Sequence, residues 1–288
     1  MGTYAVTGSA SGMGAAVAER LLADGHRVIG VDVKEADVTA DLSTPAGRRA
    51  ASAAVLELAG GVLDGAVLAA GLGPAPGRDR ARLIAEVNVL GVVELLDAWR
   101  PALAQADRAK VVVFSSNSTT TVPMVPKRVV RALLDGDVEK ALGTLRLLGR
   151  AAPTFAYAAS KVAVSHWVRR QAVTPAWAGA GIRLNALAPG AIMTPLLEQQ
   201  LATPAEAKRI RAFPVPVGGF GDAGQLAAWV VFMLSDAADF LCGSVVFVDG
   251  GSDAWFRATD WPRPVPARRV GRYVSRMKEF RAQRRAQS

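Results

Sequence analysis

One cysteine, Cys242, and two histidines, His26 and His166, are all that the 288 residues offer to disulfide or Cys/His metal chemistry. A single thiol closes no intramolecular disulfide, and three such ligands do not complete a zinc site. No metal is therefore expected, and a reducing compartment is the simplest setting. Long apolar runs are lacking as well. The longest, Leu226 to Leu234, falls far short of the roughly 20 residues that a membrane span needs. The amino end enters a strand-like run at Thr3 with no charged segment before it. Neither a signal peptide nor a transmembrane helix is expected, and the chain reads as a soluble cytoplasmic protein.

Acidic residues are in deficit, 25 against 34 Lys plus Arg, which gives a net charge of +9 and a pI near 10.3. Taken whole, that balance suggests a phosphate-rich or anionic-lipid partner. The excess is local, however. Residues 255–288 hold ten Arg or Lys and two acids, whereas residues 1–254 hold 24 basic and 23 acidic side chains. A near-neutral body carries a basic tail.

With 51% hydrophobic and 20% charged residues the body is globular. Short β-branched runs alternate with longer Ala/Leu-rich segments, the pattern of a parallel sheet covered by helices. Strands are expected at Tyr4 to Val6, Arg27 to Asp32, Gly65 to Ala69, Lys110 to Ser115, Ile182 to Ala188 and Val245 to Asp249. Helices are expected at Gly12 to Ala23, Arg80 to Ala104, Ala156 to Val173 and Asp222 to Ser235. The fold class is α/β, a doubly wound, mostly parallel, Rossmann-like sheet in one domain, 1–254. An insertion, 117–153, interrupts it with an amphipathic pattern through Val129, Leu133, Leu134, Val138, Leu142 and Leu145. Those apolar positions require burial by the core, a second subunit or a lid. Pro262, Pro264 and Pro266 then punctuate the start of the extension, 255–288.

The first expected strand runs into TGSASGMG, Thr7 to Gly14, which opens a helix. Glycines suit that place because the turn must approach a pyrophosphate closely and free amides at a helix start attract anions. The spacing of Gly8, Gly12 and Gly14 is G-x-x-x-G-x-G, and by itself it fits a structural turn equally well. Asp32, at the end of the second strand, raises its value. A carboxylate there accepts hydrogen bonds from ribose hydroxyls and repels a 2′-phosphate. Neither Ser11 nor Val33 supplies the cation a phosphate would want, so the cofactor expected is NAD. Asp41 and Leu42 are placed to flank the adenine.

Tyr157 and Lys161 stand one helical turn apart in YAASK, on one face of a helix. A nearby ammonium favours the phenolate, so Tyr157 is expected to titrate below its usual value near 10, as an acid or base requires. FSSNS puts Ser115 and Ser116 at the carboxyl edge of the sheet, where α/β proteins bind ligands. A serine holding a substrate oxygen while tyrosine moves its proton and nicotinamide moves a hydride defines an alcohol/ketone oxidoreductase.

These motifs, together with the strand ending in Ala69 to Gly71, EVN at Glu86 to Asn88 and APGAIMT at Ala188 to Thr194, occur in the order of the short-chain dehydrogenase/reductase family. The chain resembles that family over residues 3–251. The resemblance implies Tyr157 as general acid/base, Lys161 as its electrostatic partner and a ribose ligand, Ser116 as the substrate-orienting hydroxyl and Asn88 as a fourth member at a local kink. It implies a cofactor site of Gly8, Ser11, Gly12, Met13, Gly14, Asp32, Asp41, Leu42, Ala70 and Gly71, with Tyr157, Lys161, Pro189, Gly190 and Thr194 at the nicotinamide end. Two departures stand out. Leu68-Ala69-Ala70-Gly71 replaces the common Asn-Asn-Ala-Gly, and Ser116 lies 41 residues before Tyr157 because of the insertion. The insertion, LAAGLGP and APGAIMTPLL most resemble the bacterial 3α-hydroxysteroid dehydrogenase/carbonyl reductase group, in which such an insertion is implied to alter the subunit contact and sit near the substrate mouth.

The reading is an NAD(H)-dependent oxidoreductase of a bulky apolar alcohol or ketone, such as a 3-hydroxy/3-oxo steroid, assembled as a dimer or tetramer. A terpenoid alcohol or a dihydrodiol is the alternative substrate, and a non-catalytic nucleotide-sensing scaffold is the alternative of another class. Ile192, Met193, Leu196 and Leu197 suit an apolar substrate as well as a helix face. His26 reads as a surface residue, His166 lies off the Tyr157/Lys161 face, and Cys242 reads as a small core residue. In the tail, Val270, Tyr273, Val274, Met277 and Phe280 recur at helical spacing among arginines. That stripe calls for cover by the chain's own domain, a second subunit or an anionic membrane surface, and nucleic acid is not favoured.

Overall fold

The structure is a computed structural model that describes residues 1–262 and 264–287. It divides into two compact units, Met1–Trp255 and Phe256–Ser288. The first is built on seven parallel strands: β1 Thr3–Thr7, β2 Arg27–Asp32, β3 Val38–Thr39, β4 Gly65–Leu68, β5 Lys110–Phe114, β6 Arg183–Pro189 and β7 Val245–Val248. Their order is β3-β2-β1-β4-β5-β6-β7. The order reverses between β1 and β4, so the crevice beyond the carboxyl ends of those strands is the place where such sheets take ligands.

The strands are apolar on both faces because helices cover both. Side chains alternate across the sheet. Val111 and Val113 join one core layer and Val112 and Phe114 the other. Helices α1 Gly12–Ala23 and α11 Ala223–Leu234 pack together over the second layer. Helices α2 Pro45–Leu58, α4 Gly91–Leu103 and α8 Ala152–Gln171 cover the first. The sequence pattern does not announce β3 or α2, although Thr44, which caps α2 by accepting from the Gly47 amide at 3.0 Å, and Pro45 at its first position form a legible helix start.

The single helix expected over 80–104 is broken. It forms α3, Arg80–Ala85, a π-helical turn, Glu86–Leu90, and then α4. Such turns recur at functional sites, and this one is braced from below. Arg48 of α2 is 2% exposed and donates to Glu86 at 2.9 Å, Glu94 at 2.7 Å and the Leu42 carbonyl at 3.1 Å.

The insertion folds as α5 Ser118–Thr121, α6 Lys127–Leu134 and α7 Val138–Arg146, and a 3-10 turn, Gly149–Ala151, feeds α8, which starts four residues before the expected Ala156. Its apolar face belongs to the core of its own chain. Val129, Leu133, Val138, Leu142 and Leu145 are all buried in the first layer, with Leu134 packed against it, and α6 packs on both α7 and α8. The remaining helices of this unit are α9 Pro195–Leu201, α10 Pro204–Arg211 and α12 Ser252–Phe256, the last crossing the boundary.

In the second unit a 3-10 turn, Ala267–Arg269, leads into α13, Val270–Gln287. Val270, Tyr273, Val274, Met277 and Phe280 are exposed there. Among the described residues no helix is long and apolar enough to cross a membrane.

Candidate active site

The glycine turn is tight for a steric reason. Gly8 has φ +72°, and a side chain on it would meet the Ala70 amide nitrogen at 2.9 Å. A Cβ on Gly14 would collide with the Gly8 carbonyl. Helix α1 therefore starts close against the sheet. Ser11 occupies its N-cap without a side-chain capping bond, which leaves the first amides of the helix for an anion. Gly12 faces Thr194, whose Cγ2 would lie 3.5 Å from a Cβ there. Met13 packs half-buried against the second core layer.

Asp32 is fixed against this turn. One carboxylate oxygen accepts from the Ala10 amide at 3.1 Å and the other from the Lys34 amide at 3.0 Å. Of the pair expected to flank an adenine, Asp41 is exposed and turns its carboxylate to the Ser43 amide at 2.9 Å. Leu42 is only 7% exposed and packs in the core facing Gly91, so most of its side chain is spent on the fold. Next to Ala69, which stands where the family commonly has a second Asn, the Ala70 amide donates to the Thr7 hydroxyl at 3.0 Å, joining the ends of β4 and β1. At the far end the Pro189 carbonyl accepts from the Asn117 amide at 2.9 Å. Gly190 lies so close to Asp249 that a Cβ would meet its Cα at 2.8 Å.

The four catalytic candidates come together where β4 and β5 end. Asn88 is fully buried in the π turn, accepts from the Leu72 amide at 2.8 Å and donates to the Leu72 carbonyl at 3.0 Å. Its amide also reaches the Ser160 hydroxyl at 3.2 Å, and that hydroxyl donates to the Tyr157 carbonyl at 2.7 Å. Asparagine is a poor helix former because its side chain competes for backbone groups, and here it does so. Gly71 sits between Asn88 and Lys161, with a Cβ position 3.4 Å from Asn88 Oδ1 and 3.5 Å from Lys161 Nζ. Ser160 and Arg48 are positioning residues that sequence reasoning missed, since their partners are remote in the chain.

Lys161 is 6% exposed, donates from Nζ to the Phe114 carbonyl at 2.8 Å and lies 5.9 Å from the centroid of the Tyr157 ring. The two serines separate. Ser115 turns inward, 2.7 Å from the Ser165 hydroxyl. Ser116 lies beside the Tyr157 phenol and favours its phenolate, and it accepts from the Ser118 amide at 3.1 Å.

The expected lowering of the Tyr157 pKa is not what this arrangement produces. Burial pushes the phenol above its usual value, and the neighbouring Ser116 hydroxyl offsets only part of that. The same burial brings the Lys161 ammonium down to about 8. Desolvation penalises both charged forms, and at 5.9 Å from the ring the ammonium does not outweigh it.

A cleft of about 1280 Å³ opens at the start of α8. It lies between the segment from Pro74 to Arg82, helix α7 and the start of α8, with Ile210 of α10 on its wall. Pro153 and Thr154 line it, and they precede Tyr157 by four and three residues on the same helix face. Ile192, Met193 and Leu197, after the proline-glycine turn, are not among its described lining residues. Ile192 and Leu197 are buried at 8% and 9% exposure, Met193 is half-buried, and the Leu196 side chain is outside the described residues. The apolar wall comes from Pro74, Pro76, Leu142, Leu145, Pro153 and Ile210.

The remaining singled-out residues stand apart. His26 is half-buried, not a free surface residue. It accepts from the Gly2 amide at 3.1 Å and meets the Tyr4 ring edge-on at 5.0 Å. His166 is exposed, and Cys242, half-buried against the core, donates to the Ala172 carbonyl at 3.3 Å.

Comparison with known proteins brings out relatives along nearly the whole first unit. Residues 4–189 match the family described as NAD dependent epimerase/dehydratase family, and residues 144–253 match the one described as Enoyl-(Acyl carrier protein) reductase. The chain is 38% identical over 264 residues to the 3-alpha-hydroxysteroid dehydrogenase/carbonyl reductase of Comamonas testosteroni, covering 91% of this chain and 100% of that protein. It is 31% identical over 259 residues to 3beta-hydroxysteroid dehydrogenase 1 of Eggerthella lenta, covering 86% and 92%. The crystal structure of the 3-alpha-hydroxysteroid dehydrogenase from Pseudomonas sp. B-0831, complexed with NADH, superposes with a TM-score of 0.82 at 43% identity, covering 89% of this chain and 99% of that one.

Proposed function

The chain belongs to the short-chain dehydrogenase/reductase family and is an NAD-dependent alcohol/ketone oxidoreductase, and on that premise we propose that it acts on a bulky apolar secondary alcohol or ketone of the 3-hydroxy/3-oxo steroid kind. The observation that carries the site assignment is the meeting of Tyr157, with Ser116 beside its phenol, and the buried ammonium of Lys161 one helical turn on, 5.9 Å from the ring and oriented by the Phe114 carbonyl.

The residues fit NAD. The uncapped start of α1 and the close glycine turn suit a pyrophosphate. Asp32, held by the Ala10 and Lys34 amides, offers a carboxylate to ribose hydroxyls and repels a 2′-phosphate. Thr194, Pro189 and Gly190 frame the nicotinamide end. When bound, the nicotinamide supplies or accepts the hydride at the substrate carbon.

Tyr157 gives its phenolic proton to the substrate oxygen in reduction and takes it back in oxidation. The raised pKa keeps the phenol protonated at neutral pH, the form that reduction needs. Ser116 directs a hydrogen bond at the same oxygen. Lys161, oriented by the Phe114 carbonyl, holds a positive charge under the ring that favours the phenolate when it forms. Asn88 keeps the π turn and the Leu72 backbone in place beneath them.

Residues 1–254 form the catalytic domain in this reading, and 255–288 an appendage suited to peripheral contact with anionic lipid through α13. We place the protein in the cytoplasm as a homo-oligomer. Trp229, Phe232 and Phe240, exposed near the β7 edge, supply apolar surface for a subunit contact.

Steroidal, terpenoid and aromatic ketones assayed with NADH and NADPH test the substrate class. Tyr157→Phe tests the site. It should lower kcat on any active ketone by about 10²–10⁴-fold, and unchanged turnover would refute the assignment.

A further inference from the structure

The exposed apolar residues of α13 form one stripe. Val270, Tyr273, Val274, Met277 and Phe280 recur every three or four residues, so at 3.6 residues per turn they share an arc of about 120° over a length of about 15 Å. All five are between 44% and 60% exposed. Trp261 and Val265, at 64% and 54%, carry the apolar character into the segment that leads to the helix. Apolar surface gathered in one strip on an exposed helix marks a place of contact, where the same residues scattered singly would not.

The rest of the helix is cationic. Arg272, Arg276 and Lys278 are exposed and lie off the stripe, with Arg276 and Lys278 flanking it on opposite sides. Glu279 is the one acid between Val270 and Gln287, and it is taken up by Arg276 at 3.5 Å and by the Ser275 hydroxyl at 3.2 Å. Arg281, Arg284 and Arg285 follow the stripe, which makes six basic residues against one acid in α13. A helix of this kind lies in the plane of an anionic bilayer surface, its apolar strip among the acyl chains and its long cationic side chains reaching back to the headgroups.

Charge decides between this occupant and others. A second copy would bring another ten basic residues against two acids to the same face, and like charges would oppose the contact. Nucleic acid would satisfy the cations and leave the Val, Met and Phe strip in water. A bilayer with acidic headgroups takes up both. The helix also follows residue 253, where the family match ends, so catalysis in residues 1–254 does not account for it.

We propose that α13 is an amphipathic anchor that seats the protein on an anionic bilayer surface, and that the bilayer is where the enzyme collects its apolar alcohol or ketone. The anchor stands on the tail alone, whereas the collection of substrate rests on the apolar-substrate reading above. An apolar ketone concentrates in a bilayer because water expels it. An enzyme held at that surface meets it at a higher effective concentration than one free in solution.

Flotation of the full chain with vesicles of mixed phosphatidylglycerol and phosphatidylcholine, and with vesicles of phosphatidylcholine alone, tests the anchor. Binding should be about tenfold or more stronger on the anionic vesicles and should weaken as salt is raised. Val274→Asp with Met277→Asp should lower it by about tenfold or more, and so should Arg272→Gln with Arg276→Gln and Lys278→Gln. Val274→Ser with Met277→Ser, a milder change to the helix, should move it in the same direction. None of these variants should alter NADH-dependent turnover of a water-soluble ketone. Equal binding to the two kinds of vesicle would overturn the anchor. Binding that the stripe substitutions leave unmoved would overturn it as well, and duplex DNA held as tightly as the vesicles would then assign the tail to nucleic acid.

A steroidal ketone carried in the two kinds of vesicle tests the collection of substrate. Its reduction should be faster from the anionic vesicles by about the ratio of binding, and Val274→Asp with Met277→Asp should remove the difference. Equal rates despite flotation would reject the collection of substrate and leave the anchor in place. If no steroidal ketone is reduced from either vesicle or from solution, the steroid reading fails separately, and flotation still decides the anchor.

Discussion

The nucleotide half of the crevice is built from Thr7 to Gly14 and Asp32, within the first βαβ unit, and its contacts are backbone amides, a glycine turn and one carboxylate. The substrate half, in the reading proposed above, draws on the loop from Gly73 to Arg82, the insertion and the start of α8, which meet through packing of buried Leu142, Leu145 and Leu133 and through the Arg82–Glu139 ion pair. Local steric necessity makes the first half rigid and recognisable. The second half is as precise as the core beneath it, and side chains at its rim can change with little effect on the fold.

Substitutions that separate the halves sharpen this contrast. The largest effect is expected for Gly14→Val, whose side chain collides with the Gly8 carbonyl. NADH affinity should fall roughly 100-fold by fluorescence titration, since the helix start can no longer approach the pyrophosphate. By contrast Leu133→Ala, at a site 3% exposed in α6, should cost about 2–5 kcal/mol in denaturant unfolding and leave NADH affinity as it was. If Leu133→Ala weakened NADH as much as Gly14→Val does, the two halves would not be separable.

Asn88→Ala joins the halves, because Asn88 holds both the Leu72 backbone and the link through Ser160 to Tyr157. It leaves the Leu72 amide and carbonyl without these partners and should cost about 1–3 kcal/mol of stability. A fall in kcat larger than the rise in ketone KM is expected, and stopped-flow measurement of both would show it. Asp32→Ala acts on the nucleotide half alone. It should raise the NADH KM about tenfold and narrow the preference over NADPH, with kcat little changed.

The smallest effect is a slope in stability against pH. Lys161 titrates at about 8 in the fold and at about 10.4 in the unfolded chain. The unfolded state therefore binds more protons between those values, and stability should rise with pH across that window. The contribution is fully present above the unfolded value and is lost as pH falls through about 8. Lys161→Met should flatten that slope in thermal melts taken from pH 7 to about 10.5. A slope that persists in the variant would assign it to another group.

Much of the nucleotide half is legible in the amino-acid sequence. The turn Thr7 to Gly14, the end of β2 at Asp32 and the one-turn spacing of Tyr157 and Lys161 are local, and backbone sterics and helical periodicity fix them within a few residues. Features that depend on contact between distant segments are not legible there. The break of one long helix into α3, a π turn and α4 follows from Asn88 reaching Leu72, and the brace beneath it comes from Arg48 on α2. Ile192 and Leu197, which in the sequence suit a substrate or a helix face alike, are buried in the fold, and periodicity marks a buried face without saying what it is buried against.

By itself the sequence determined the alternation of strands and helices, the glycine turn, the acid at the end of β2 and the Tyr/Lys pair, because each depends on neighbours within a turn or a strand. It also determined that the charge excess lies in residues 255–288, which are counted, not folded. Tertiary structure alone decided that burial raises the Tyr157 pKa, that the insertion packs into its own core, and that Arg48 of α2 braces the π turn. Burial and through-space charge are set by neighbours brought together by packing, and no local pattern encodes them.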